Sequence, residues 1–103
     1  MKLGADDGGT RQSVHRGERI TISLPETATT GYRWRFDSTA DFDEVGAETI
    51  APNPAAPGAS GTRIFTLIPR RTGTLQLRLV KRRSWEQESS TEFTVLLDVV
   101  ESD

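Results

Sequence analysis

Hydrophobic and polar residues alternate along most of this chain with a period of two. The clearest run is Ile20 to Leu24, in which apolar side chains alternate with Thr21 and Ser23. This period places every second side chain on one face of a strand, so each run predicts a β-strand with one buried and one exposed face. The same pattern recurs in segments 32–36, 63–68, 75–79 and 93–99.

Residues that disfavour strands separate or precede these runs. Residues 1–10 are rich in glycine and aspartate and offer little to bury, so we expect a disordered N-terminal segment. Segment 11–16 can form a first strand. Pro25 is expected to end the next one, because proline cannot donate a hydrogen bond to a β-ladder. The acidic segment 37–48 fits either a helical turn or a short strand over residues 44–50.

About seven short strands with no convincing helix predict an all-β protein, an immunoglobulin-like β-sandwich of antiparallel strands. The 103 residues suffice for one domain, which we place at residues 11–101. The absence of cysteine excludes disulfides and thiolate metal sites, so packing alone must hold the sandwich together. We expect a monomer, because no long apolar stripe is left over for a partner subunit.

No apolar run approaches the ~20 residues of a membrane span, so no membrane partner is expected. Residues 1–10 also lack the apolar region of a signal peptide. As the chain stands it is expected in the cytoplasm, or in the periplasm or outside the cell if an export signal once preceded it. A bacterial source is expected.

Few residues offer catalytic chemistry. His15 is the one histidine and has no cysteine or acidic neighbour at ligand spacing, so a solvent-facing strand residue is expected. The carboxylates of segment 37–48 lack the spacing and the central glycine of a calcium loop. Neither a glycine-rich phosphate loop nor a nucleophile elbow is present. We therefore expect no enzyme activity, no metal and no cofactor.

Residues 63–83 contain several basic residues and no acidic one. Its seven members are Arg63, Arg70, Arg71, Arg78, Lys81, Arg82 and Arg83. Such a stripe could bind phosphates. However, base-stacking aromatics are not interleaved along it, as a single-strand binder would require. A basic face that balances the acidic segment fits better, so nucleic-acid binding is an alternative function and no nucleic-acid partner is expected.

Three connections between the predicted strands have unusual compositions. The first, 25–31, holds two adjacent threonines, which are stiff at χ1, and then a glycine. The second, 51–61, has three prolines and two glycines. The third, 81–91, carries Trp85 close to Arg83, and both residue types dominate interface hot spots.

Each of these features also has an ordinary explanation. The threonines of the first connection could only satisfy local hydrogen bonds, and Trp85 could fold back over the edge of its own sandwich. In an immunoglobulin-like sandwich, however, alternate connections emerge at the same end. Three unusual connections at one end indicate a recognition module.

Three short motifs within these connections carry a resemblance to a known family. They are Thr27-Ala28-Thr29-Thr30-Gly31-Tyr32, Gly58-Ala59-Ser60-Gly61 and Arg83-Ser84-Trp85. In the chagasin-like inhibitors of papain-type cysteine peptidases, the corresponding loops read Asn-Pro-Thr-Thr-Gly-Tyr, a glycine-rich Gly-x-Gly-Gly-like run and Arg-Pro-Trp. This chain resembles that family over about residues 13–100, with all three motifs in the same order.

The resemblance implies an immunoglobulin-like fold and a reversible, non-covalent, competitive inhibitor of papain-like cysteine peptidases. Three adjacent loops would block the active-site cleft, with Thr30 and Gly31 across the catalytic cysteine and histidine. The implied peptidase-binding residues are Thr29, Thr30, Gly31, Tyr32, Gly58, Ala59, Ser60, Gly61, Arg83, Ser84 and Trp85. The alternative is a non-inhibitory protein-binding module on the same fold.

Three residues depart from the family's motifs. Thr27 replaces an asparagine, and Ala28 and Ser84 each replace a proline. Losing a compatible proline frees the chain by about 0.4–1 kcal/mol per site. Because a looser loop should bind less tightly, we expect weaker inhibition than by a family member that has both prolines.

Overall fold

The computed structural model describes residues 1–26, 32–37, 40–50, 61–82 and 91–101. Within these ranges, eight strands form two four-stranded sheets. The strands are β1 (Lys2–Gly4), β2 (Arg11–His15), β3 (Ile20–Glu26), β4 (Arg33–Phe36), β5 (Phe42–Ile50), β6 (Gly61–Pro69), β7 (Gly73–Arg82) and β8 (Thr91–Val100). The first sheet has the order β1-β3-β6-β5 and the second the order β2-β8-β7-β4.

The core lies between the two sheets and is built from the inward positions that the alternation predicts. Its longest contributions are Ile20, Ile22 and Leu24 from β3, Leu75, Leu77 and Leu79 from β7, and Phe93, Val95, Leu97 and Val99 from β8. Full burial of one such side chain stabilises the fold by about 1.5–3 kcal/mol. The predicted all-β sandwich is confirmed, and apolar packing replaces the disulfides that the chain lacks.

The N-terminal residues correct the expectation of a disordered segment over residues 1–10. Strand β1 pairs in parallel with β3, and Leu3, opposite Ile22, is buried. A short 3-10 helix, Ala5–Asp7, follows, and the Asp7 carboxylate accepts a hydrogen bond from the Gly4 backbone N–H at 2.8 Å. Met1 also packs against the core, so two apolar side chains in a polar stretch dock this segment on the edge of the sheet.

The first two strands also differ from the antiparallel arrangement that the sequence predicts. Strand β1 runs parallel to β3 in the first sheet, and β2 runs parallel to β8 in the second. The other strand pairs are antiparallel. The N-terminal stretch therefore crosses from an edge strand of one sheet, β1, to an edge strand of the other, β2, as strands at the corners of sandwiches do.

From residue 42 onward the acidic segment belongs to a strand, the second of the two predicted alternatives. Strand β5 begins at Phe42, which is buried and meets the ring of Phe36 edge-on at 6.1 Å between centroids. A register shift between Glu44 and Gly46 marks a β-bulge. Bulges twist a strand locally, which makes an outer strand such as β5 a poorer template for pairing with other chains.

Strand β3 continues through Pro25 to Glu26. The Thr21 backbone N–H points towards β1, where it donates to the Met1 carbonyl oxygen at 2.9 Å. A period of two puts the Pro25 nitrogen on the same side, but β1 has already ended opposite Ser23. The proline therefore removes no ladder hydrogen bond, which is why this position tolerates it.

Candidate functional site

In the first sheet, the strand ends that flank the first and second connections lie together. Glu26 at the end of β3 is paired with Gly61 at the start of β6. Ile50 at the end of β5 is paired with Thr62, the next residue of β6. Residues 27–31 and residues 51–60 are therefore both attached at the same end of this sheet.

The second sheet brings the first and third connections together in the same way. Arg33 at the start of β4 is paired with Arg82 at the end of β7. Lys81 is paired with Thr91, the first residue of β8. The strand ends on either side of residues 83–90 thus adjoin the strand that follows the first connection.

Two contacts hold these ends of the sheets side by side. The indole N–H of Trp34 in β4 donates a hydrogen bond to the Pro25 carbonyl oxygen in β3, at 3.0 Å. The guanidinium Nε of Arg33 lies 4.0 Å from the Glu26 carboxylate. All three connections therefore leave from one end of the sandwich. We call this the loop end, marked by Glu26, Gly61, Arg82 and Thr91.

Two of the predicted peptidase-binding residues are within the described ranges. Tyr32 directly precedes β4 and is half-buried, whereas Gly61 is buried and opens β6 at the loop end. The others lie outside the described residues: Thr29, Thr30, Gly31, Gly58, Ala59, Ser60, Arg83, Ser84 and Trp85. Their roles in binding stay predictions.

Glu26 also belongs to this region, although it was not among the residues predicted from the sequence. Glu26 is only 5% exposed, and among the described residues its Oε2 has no hydrogen-bond partner. A buried carboxylate is costly unless a cation compensates it, and the nearest cation among the described residues is Arg33. The sequence pattern does indicate this burial, because extending the alternation of Ile22 and Leu24 by two residues places Glu26 on the inner face.

Trp34 forms a rigid base beneath the loop end. It is 6% exposed, in agreement with the alternation of buried and exposed positions predicted for segment 32–36. The Lys81 ammonium lies over its ring at 5.7 Å from the centroid, within the range of a cation–π contact. Because Lys81 belongs to β7 and Trp34 to β4, this contact couples the stems of the first and third connections.

Basic residues of the predicted stripe pair with carboxylates of the acidic segment. The Arg78 guanidinium lies 2.6 Å from the Asp37 carboxylate. Arg71 pairs with Asp41, and the neighbouring Arg70 lies 3.6 Å from the Asp43 carboxylate. These ion pairs agree with the interpretation of the stripe as a face that balances the acidic segment. Those of Arg70 and Arg71 lie beyond the end of β6 that is opposite the loop end.

Catalytic chemistry is equally sparse in the structure. His15 is exposed, as predicted, and its Nδ1 lies 3.5 Å from the Glu18 carboxylate, close to the start of β3 and far from the loop end. Across the described ranges, no group of three His, Cys, Asp or Glu side chains is placed to hold a metal ion. In those same ranges, no helix has the length and apolar character needed to cross a membrane.

Comparison with known proteins gives a consistent result. The sequence matches the family described as "Chagasin family peptidase inhibitor" over residues 13–99. Chagasin from Trypanosoma cruzi is 32% identical over 104 residues, an alignment that covers 93% of this chain and 94% of that protein. A family match of this extent includes every strand from the middle of β2 to β8.

Solved structures show the same fold at lower identity. The cysteine protease inhibitor EhICP2 from Entamoeba histolytica has a TM-score of 0.84 and 23% identity, covering 96% of this chain and 94% of that one. PbICP-C, solved in complex with falcipain-2, has a TM-score of 0.65 and 14% identity, and the match covers 97% of this chain and 98% of that one. The named source organisms are protozoa, so the expectation of a bacterial source has no support from them.

Proposed function

Since this chain belongs to the chagasin family of peptidase inhibitors, we propose that it is a reversible, non-covalent, competitive inhibitor of papain-like cysteine peptidases. The family consists of peptidase inhibitors rather than enzymes, so the expectation that the chain is not an enzyme is confirmed. In the proposed mechanism the three connections enter the active-site cleft together and exclude substrate. The inhibitor offers no bond for the peptidase to attack.

The main support for this proposal is that the strand ends flanking all three connections lie together at the loop end. Both sheets contribute to it, and Trp34 and Glu26 tie them together with contacts to Pro25 and Arg33. A wedge whose base is fixed before binding loses little conformational entropy when it docks. Obstruction by a preformed surface needs no catalytic group, which agrees with the chemistry of the described residues.

The proposed interface follows from this geometry. Tyr32 and Gly61 lie at the base of the first and second connections, and Thr30 and Gly31 are proposed to cover the peptidase's catalytic cysteine and histidine. Arg83 and Trp85 are proposed to pack on the primed side of the cleft. Inhibitor complexes of standard size bury about 800 Å² on each partner. One monomer would block one peptidase.

Titration of papain with the purified protein tests the proposal. Steady-state rates at several substrate concentrations should show an apparent Michaelis constant that rises with inhibitor while the maximal rate stays constant. Activity should return on dilution. Trp85→Ala should weaken inhibition by at least tenfold, since truncation of an interface hot spot costs about 2 kcal/mol or more.

The matched control for this substitution is Val100→Ala. Val100 is an exposed apolar residue in β8, and its neighbour across the strands is His15, far from the loop end. This variant should inhibit as well as the wild type. If micromolar wild-type protein leaves the papain rate unchanged, the alternative of a non-inhibitory binding module on the same fold is favoured.

A further inference from the structure

Two buried polar atoms near the loop end have complementary hydrogen-bonding character. Glu26 Oε2 is an acceptor and Arg63 Nε carries a donor hydrogen, and neither has a hydrogen-bond partner among the described residues. In that part of the chain they are the only buried side-chain nitrogen or oxygen atoms in this condition. Buried groups that form no hydrogen bond are costly and uncommon in folded proteins. A donor and an acceptor of this kind at one end of the sandwich point to an arrangement that satisfies both.

The register of β3 and β6 places the two side chains on the same face. Arg63 is directly opposite Leu24, and Glu26 is directly opposite Gly61. Because Leu24 is buried in the core, Arg63 and Glu26 both belong to the inner face of the first sheet. Residues in this diagonal relation are about 7–8 Å apart, within reach of long side chains. Gly61, the next inner position from Arg63 towards the loop end, has no side chain to obstruct their approach.

The Arg63 guanidinium instead lies on the side away from Glu26. Its Nη1 donates a hydrogen bond to the Thr49 hydroxyl oxygen in β5 at 3.0 Å, and its Cζ lies 4.9 Å from the centroid of the Phe65 ring. Phe65 is two residues farther from the loop end than Arg63, whereas Glu26 is paired two residues nearer to it. Thr49 is exposed, so water competes for its hydrogen bond. None of the ion pairs of the described residues involves Arg63, which is half-buried.

Arg33 compensates the Glu26 carboxylate only in part. Its Nε lies 4.0 Å from Oε1 of Glu26, which is beyond hydrogen-bond distance, and its side chain is 63% exposed. Water that reaches an ion pair weakens the attraction between its charges. The Glu26 carboxylate therefore has room for a second cation, and Arg63 is the cation that shares its face of the sheet.

We propose that Arg63 is a positioning residue for the inhibitory surface. When a peptidase covers the loop end, the Arg63 side chain turns from Thr49 to Glu26, and its Nε–H donates a hydrogen bond to Oε2. Exclusion of water on docking raises the cost of the unpaired charges and strengthens their attraction, which favours this arrangement in the complex. The pair joins the end of β3 to the start of β6 and so fixes the first connection relative to the second. This inference rests on the proposed function.

A double-mutant cycle on inhibition tests the proposal. Inhibition constants and dissociation rates for papain would be measured with the wild type, Glu26→Gln, Arg63→Gln and the double variant. Each single substitution should weaken inhibition about five- to tenfold through faster dissociation, and the double variant should be no weaker than the weaker single variant. In urea unfolding of the free proteins the two substitutions should have additive effects, because the pair forms only in the complex.

Thr49→Val separates the two contacts of Arg63, because it removes the hydrogen-bond acceptor in β5 and leaves Glu26 in place. If Arg63 acts by pairing with Glu26, this variant should inhibit papain at least as well as the wild type. A loss of inhibition as large as that of Arg63→Gln would overturn the inference in favour of the contact with Thr49. Arg19→Gln is the matched control, since Arg19 is exposed and precedes β3 at the end opposite the loop end. It should stay within about twofold of the wild type.

The outcomes separate this inference from the proposed function. Additive effects of Glu26→Gln and Arg63→Gln on inhibition, while the wild type inhibits papain, overturn the inference and leave the proposed function intact. If the wild type does not inhibit papain, both are rejected. Arg63→Lys keeps the charge but has no Nε–H, and the cycle repeated with it decides the question if Arg63→Gln fails to fold. It should weaken inhibition in the presence of Glu26 and have no effect in the Glu26→Gln background.

Discussion

The indole nitrogen of Trp34 and the carbonyl oxygen of Pro25 lie 3.0 Å apart and form a hydrogen bond from one sheet to the other. Pro25 is the penultimate residue of β3, and Trp34 is the second residue of β4. The bond therefore closes the base of the first connection. It fixes the distance between the two sheets at the end where the proposed inhibitory surface lies.

Trp34→Phe should weaken both folding and inhibition. The substitution keeps an aromatic ring but leaves the Pro25 carbonyl without its donor, and an unsatisfied buried group costs about 1–3 kcal/mol. We expect a lower free energy of unfolding in urea and a higher inhibition constant for papain. Phe65→Leu, in the middle of β6, is the control, because it should reduce stability without changing the inhibition constant. Equal effects of both variants on inhibition would contradict a specific role for Trp34.

Neutralising the exposed Arg33 should reduce the stability of the fold more than neutralising the buried Glu26. Arg33→Gln leaves a carboxylate buried without its cation and should reduce stability by about 1 kcal/mol, a discounted figure because Arg33 is largely exposed. Glu26→Gln removes the buried charge itself and should be close to neutral. The double variant should recover most of the loss.

Urea unfolding of both single variants and the double variant forms a double-mutant cycle for this pair. A coupling free energy indistinguishable from zero would show that Arg33 does not compensate Glu26. In that case the buried charge would require another explanation. Circular dichroism of each variant would verify that the sandwich is retained.

Carboxylates paired with arginine should make stability fall in acid. The Arg71 guanidinium holds the pKa of Asp41 below its ordinary value of 3.8, and Arg11 does the same for the pKa of Asp98. A carboxyl whose folded pKa is depressed contributes stability that is fully present above its unfolded pKa and is lost as the pH falls through the folded pKa. Stability should therefore be flat near neutral pH and decline below about pH 4.

Site-resolved titration tests the origin of this decline. In Arg71→Gln, the pKa of Asp41, followed by NMR of its carboxyl carbon, should rise towards 3.8. The pKa of Asp98 should not change, because its partner Arg11 is untouched. An unchanged Asp41 pKa in this variant would show that the ion pair with Arg71 does not form in solution.

Residue alternation predicted the core of this protein well, because burial of one sheet face affects every second residue. It placed Leu75, Leu77 and Leu79 inside, where the structure has them. It missed Leu3, because Met1 and Leu3 are the only two apolar residues of a short alternation, which is too short to stand out within a polar stretch. The prediction that β3 ends at Pro25 also missed the inward-facing Glu26. Pro25 is tolerated within β3 because β1 has already ended there, and the local sequence does not show where β1 ends.

The sequence predicted the location of the candidate site but not its contacts. Strand order placed three connections at one end, and the pairing of Glu26 with Gly61 and of Arg33 with Arg82 shows that the flanking strand ends meet there. Register between distant strands depends on packing across the whole sheet, so a local pattern cannot specify it. The contacts of the connections themselves stay predictions, because most of their residues lie outside the described ranges.

Restoring the family's prolines should tighten inhibition. Ala28→Pro and Ser84→Pro each reduce the conformational freedom that a connection must lose on docking, by about 0.4–1 kcal/mol where the proline is compatible. Each variant should therefore lower the inhibition constant for papain about two- to fivefold, through slower dissociation. Ala47→Pro, in the outer strand β5 away from these connections, is the control and should give no gain. If neither Ala28→Pro nor Ser84→Pro improves inhibition, loop rigidity does not limit the affinity of this protein.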